Sequence, residues 1–114
     1  MADFSLTLNE DQQQLQDWIH GFAKDVIRPA APEWDEREET PWPIIEEAAK
    51  VGIYSWEFVA QMFADPTGLS FAIASEELAW GDAGIALAIL GTTLGVSGIV
   101  GNGTPEQIAD RKST

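Results

Sequence analysis

Side chains able to do chemistry are few in this chain, and their spacing argues against a self-contained active site. Among its 114 residues there is no cysteine and a single histidine, His20. Without cysteine there is no disulfide framework, no thiolate zinc site and no cysteine nucleophile. Carboxylates stand side by side at Glu46-Glu47 and Glu76-Glu77. Neighbours on a helix point about 100° apart, so neither pair forms a facing acid–base couple. Both pairs are expected on solvated faces or at caps. His20 shares a helical face with Gln16 and Lys24, opposite the apolar stripe. It reads as a surface histidine, and one imidazole without organised carboxylates makes a poor metal site. The serines have no G-x-S-x-G setting and no histidine placed to partner them. No glycine-rich loop follows a strand, so there is no nucleotide fingerprint. The expectation is no catalytic residue and no metal site. The five tryptophans read as packing residues, with Trp80, beside Gly81, the one suited to face a partner.

The elements that would position these groups are helices. Apolar residues at Leu15, Trp18, Ile19, Phe22, Val26 and Ile27 follow the three-and-four spacing of an amphipathic helix. Asn9 with Gln12 makes a capping box at its start, and Glu10 and Asp11 suit the positive end of its dipole. Pro29 and Pro32 predict an end or kink near Arg28. Residues 33–41, EWDEREETP, then read as a charged connection. Pro41 and Pro43 open a second helix that turns Ile44, Ile45, Ala48 and Val51 inward and stops at Gly52. Ser55 caps a short third helix, Asp65-Pro66-Thr67-Gly68 is a turn, and a fourth helix covers roughly 70–80. Asp82 is placed to cap a fifth, from Ala83 to about Val100. The pattern predicts an all-α fold, an antiparallel bundle of about five to six helices.

Composition narrows the function further. Six basic residues against nineteen acidic ones leave a net charge of −13. Such a chain offers no footprint for a phosphate backbone and is repelled by anionic membranes, so no nucleic-acid partner is expected. Ala83 to Pro105 carries no charged residue and is long enough to span a bilayer, with a GxxxG at Gly91 and Gly95. Five glycines and three hydroxyl residues between Ala83 and Gly101 dilute it, and its near flanks lack the cations that set an orientation. It is read as the buried central helix of a bundle, with no membrane span. The N-terminus has neither a secretory signal nor an arginine-rich leader, which predicts a cytoplasmic protein. Thr104-Pro105-Glu106-Gln107 is a strong helix start with only seven residues after it. The expectation is a domain over 1–107 and a cut-short tail over 108–114.

In order and spacing these segments resemble the N-terminal helical domain of the acyl-CoA dehydrogenases. The resemblance rests on Leu8-Asn9-Glu10-Asp11-Gln12 with Phe22-Ala23 and Pro29, then on Pro41 to Gly52. Its most specific stretch is SEELAWGDAGIALAILGTTLG, Ser75 to Gly95, with Gly103-Thr104-Pro105-Glu106-Gln107. One departure is FVAQMFADPTG, residues 58–68, where the family usually has a glycine-rich loop. The resemblance implies a parent enzyme that dehydrogenates acyl-CoA thioesters. A glutamate takes the α-proton, the β-hydride passes to FAD, and an electron-transfer flavoprotein reoxidises the flavin. The family's base and most of its flavin contacts lie in other domains, so this chain is expected to hold no FAD and to be inactive alone. The family's fifth helix lines the far end of the acyl pocket. By that match Leu87, Leu90 and Leu94 are the candidates for the acyl tail, with plain core as the alternative. A homo- or hetero-oligomer is expected. The competing reading is a non-catalytic helical module that pairs with another dehydrogenase-like chain.

Overall fold

In the computed structural model, residues 7–113 are described, and no strand occurs among them. Helix α1 (Glu10–Phe22) begins at the capping box: Gln12 N–H donates to the Asn9 side chain, and Asn9 N–H to that of Gln12. One π-helical turn, Ala23–Ile27, joins it to α2 (Arg28–Arg37). The chain therefore does not stop at Pro29, and most of the expected charged connection is helix. The reason lies in the backbone. The Arg28 N–H reaches back five residues to Ala23 O, which widens the turn. Pro29 follows directly, at the changeover from π to α hydrogen bonding, so its missing N–H falls where the ladder is already shifted. Pro32 forfeits one further bond, offset by Ala30, Ala31 and Trp34 packing on the core. Arg37 lies over the Trp34 ring and pairs with Glu33 four residues back. Glu38, in the left-handed conformation, closes the helix by donating its N–H to Trp34 O.

Helix α3 (Trp42–Lys50) ends where Gly52 takes a φ of 95°, a conformation that favours glycine. Ser55 caps α4 (Trp56–Ala64) by accepting from Phe58 N–H. The Asp65 carboxylate then accepts from the backbone and hydroxyl groups of both Thr67 and Ser70, binding the turn to the start of α5 (Leu69–Gly81). Those four donors hold its carboxyl well below the usual carboxylate range.

Helix α5 is the centre of the fold, packing on α1, the π turn and α6 (Ala83–Leu90). Ile19, Ile27, Leu78 and Ile89 are fully buried where these elements meet. The molecule is 49 × 40 × 19 Å, so it is about two helix diameters thick. At Gly91 the regular hydrogen-bonded run from Ala83 is interrupted for one residue, still right-handed, and continues as α7 (Thr92–Asn102). Glycine is a weak helix former, and the Thr93 hydroxyl competes for the Leu90 carbonyl at 2.5 Å. The expected buried central helix is therefore buried only in its first half. Ile85, Ala86 and Ile89 are covered, whereas no residue of α7 is. Ala83–Asn102 is long and apolar enough to cross a membrane by length and composition alone, and 17% of it is buried. Helix α8 (Pro105–Ser113) follows, with Thr104 and Gln107 exchanging the capping hydrogen bonds read from the sequence.

Helix α5 ends in a close approach to the π turn at Gly81. A Cβ there would lie 2.8 Å from Ile27 Cγ2, 2.9 Å from Ile27 Cβ and 3.2 Å from the Ala23 carbonyl oxygen. Gly81→Ala is expected to lower stability by about 1–3 kcal/mol through overpacking. Gly98→Ala, in α7, meets open space and should raise stability by up to about 1 kcal/mol. Urea unfolding of the two variants checks the contrast.

Candidate functional site

Two places gather side chains that could meet another molecule. The first lies along α6 and α7. The three leucines read from the sequence do not share one environment. Leu87 is 69% exposed and Leu94 75%, while Leu90 is partly buried and packs on the core. Helical geometry accounts for the split. Positions 87 and 94 lie within about 20° of each other around the axis, and position 90 is rotated about 60° toward the buried side. Leu90 thus borders two surfaces, an open apolar face and a cleft.

That cleft lies between α4, α5 and the α6–α7 junction. Its walls include Ile53, Phe58, Met62, Phe71, Ile89 and Leu90. Its free volume is about 20 Å³, about the room one water needs. The polar groups at its edge are engaged. The Tyr54 hydroxyl donates to Ile89 O at 2.8 Å, and that of Thr93 to Leu90 O. Burial pushes the Tyr54 phenol up from its usual value, a shift partly opposed by Thr92. The result is a lining suited to alkyl groups, with no group placed for acid–base work.

The second place is where α1 and α5 meet through polar side chains. Glu77 accepts from His20 Nδ1 at 2.6 Å and from Gln16 Nε2 at 3.0 Å, and its side chain is 13% exposed. The His20 ring packs on Trp80 with centroids 4.4 Å apart, and the Arg28 guanidinium lies 4.3 Å over the same indole. Glu77 is therefore not the solvated carboxylate its sequence setting implied, whereas Glu46, Glu47 and Glu76 stand on open or half-open helix surface. The shared face of Gln16 and His20 was legible; its partner 57 residues away was not. Among the described residues no three potential ligands gather to hold a metal ion.

The Tyr54 bond ties the α3–α4 turn to α6, and it gives a pH-dependent test. A phenol whose folded-state value is raised contributes stability that is complete below its unfolded value, near 10. That contribution is lost as pH rises through the higher folded value. Tyr54→Phe should cost about 0.5–1.5 kcal/mol at pH 8. The gap from wild type should narrow above about pH 10. Urea unfolding at both pH values reads it, and a gap independent of pH would contradict this role.

Compared by sequence with known proteins, the chain matches one family. The sequence pattern described as "Acyl-CoA dehydrogenase, N-terminal domain" matches residues 9–110, from the α1 capping box into α8. The chain is 32% identical over 105 residues to a probable medium-chain specific acyl-CoA dehydrogenase 2, mitochondrial, of Caenorhabditis briggsae. That alignment covers 90% of this chain and 26% of the relative. It is also 40% identical over 48 residues to an isobutyryl-CoA dehydrogenase, mitochondrial, of Dictyostelium discoideum, covering 42% of this chain and 12% of that protein. The chain thus spans about a quarter of the length of the first relative. With the match covering residues 9–110, this chain belongs to the acyl-CoA dehydrogenase family, as its N-terminal domain.

Proposed function

We propose that this chain forms the helical acyl-side wall of an FAD-dependent acyl-CoA dehydrogenase, an enzyme of α,β-dehydrogenation of acyl-CoA thioesters. The observation that carries the reading is the uncharged edge of α6 and α7. A folded domain holds Leu87 and Leu94 open to solvent and Leu90 beside an apolar cleft. Such a surface strips water from an alkyl tail and orients it without taking part in proton transfer.

The residues present do not fit the flavin itself. Its diphosphate needs cations or a cradle of backbone amides. Of the four cations whose side chains are described, Arg37 and Lys50 are paired with Glu33, Glu39 and Glu47 and Arg28 lies on Trp80, which leaves only the exposed Lys24, in a chain of net charge −13. In this reading FAD, the base and the contact with an electron-transfer flavoprotein belong to other parts of the enzyme. The open face also supports the pairing of this chain with a second one, a copy of itself or another dehydrogenase-like chain, because uncovered apolar patches favour association.

The purified chain is expected to be helical, colourless and without turnover of acyl-CoA in the presence of an artificial electron acceptor. It should bind a hydrophobic dye and sediment as a defined oligomer. Stoichiometric flavin absorbance or turnover by the chain alone would overturn this division of labour. In an enzyme carrying this chain as its N-terminal domain, Leu90→Ala should shift acyl preference by about 1–3 kcal/mol in kcat/KM. Loss of about 2–5 kcal/mol of stability with a flat acyl profile would instead make Leu90 ordinary core.

A further inference from the structure

The cleft beside Leu90 is already filled, and what fills it is α4. Met62 is buried, and with Phe58, Val59 and Phe63 it forms one side of the cleft facing Leu90 and Thr93. The free space left is about 20 Å³, room for one water and far too little for a run of methylenes. The plug is held from both ends and from the side. Ser55 caps α4, the Asp65 turn fixes the start of α5, and Trp18 of α1 meets the Phe58 ring edge-on at 5.8 Å. Because the Tyr54 and Thr93 hydroxyls both donate to backbone carbonyls, an acceptor entering the cleft would find no free hydroxyl proton.

Resting on the acyl-wall reading above, we infer that α4 is the end wall of the acyl site, and that Met62 is its specificity-determining residue. The substrate class is then thioesters of short acyl groups, which stop at Leu90. A longer tail stays on the open face of Leu87 and Leu94, because entering the cleft requires α4 to withdraw its side chains. Shortening Met62 lets a long tail in.

The test uses the full chain, labelled at its isoleucine, leucine, methionine and threonine methyl groups. It is titrated with the neutral S-butyryl and S-octanoyl thioesters of N-acetylcysteamine below their aggregation limits. In the wild type both probes are expected to shift the Leu87 and Leu94 methyl signals and to leave Ile89 and Thr93 unmoved. In Met62→Ala the octanoyl thioester is expected to shift Ile89 and Thr93 as well, while the butyryl thioester behaves as before. Should that variant lose its dispersed spectrum, Val59→Ala opens the same cleft by a smaller change. Shifts at Ile89 and Thr93 in the wild type equal to those in the variant would overturn the inference. So would silence at both positions in every folded variant. If Leu87 and Leu94 still respond in those cases, the acyl-wall reading stands and only the end wall falls. If no methyl of Leu87, Leu90 or Leu94 moves in any form, the acyl-wall reading fails and takes the inference with it.

Discussion

The rest of the molecule depends on a corner two residues long. Helix α5 runs until Gly81 meets Ile27 and the Ala23 carbonyl, an approach that only a residue without Cβ allows. The next residue, Asp82, is fully extended, and its carboxylate accepts from Ile85 N–H at 2.8 Å. One residue ends a helix against the core and its neighbour starts the following helix in a new direction. The direction of α6, and hence everything Leu90 can touch, follows from that pair. The π turn matters for the same reason: it sets Ile27 where Gly81 must pass.

From the corner outward, burial falls away. Helix α6 presses Ile85, Ala86 and Ile89 into the core, where Leu78 and Ile19 receive them. Past Gly91 no second layer among the described residues meets α7, so Leu94 and Val100 remain exposed. Elsewhere on α5 the contacts have a different character. There His20, Gln16 and Glu77 join α1 to α5 by polar contacts beneath the Trp80 ring. The fold thus has an apolar edge along α6 and α7 and a polar contact between α1 and α5. The apolar edge suits an alkyl ligand because it offers nothing to a charged group.

What could be read in the residues was what local chemistry decides. The caps at Asn9, Ser55, Asp82 and Thr104 each bond within three residues, so their types and spacing were enough. The stop at Gly52 was legible for the same reason. Three features were not. The helix passes Pro29 because a widened turn absorbs the missing donor, and that depends on how Ile27 packs against α5. Glu77 is drawn inward by a histidine distant in sequence. The three leucines of α6 and α7 share a spacing, yet only the tertiary structure decides that Leu90 turns toward α4 while Leu87 and Leu94 do not. The resemblance to the family supplied the fold and the candidate edge; it was silent on what lies behind Leu90, since residues 58–68 depart from the usual pattern there.

The central claim is that the Gly81–Asp82 corner anchors α6 and leaves α7 uncovered. Amide hydrogen exchange measured residue by residue on dilute protein addresses it most directly. Amides of α1, α5 and α6 should exchange only through global unfolding, with one common free energy. Those of α7 beyond Gly91 should open locally and exchange far faster, as expected where few apolar contacts cover the backbone. Protection in α7 equal to that in α5 would contradict the account.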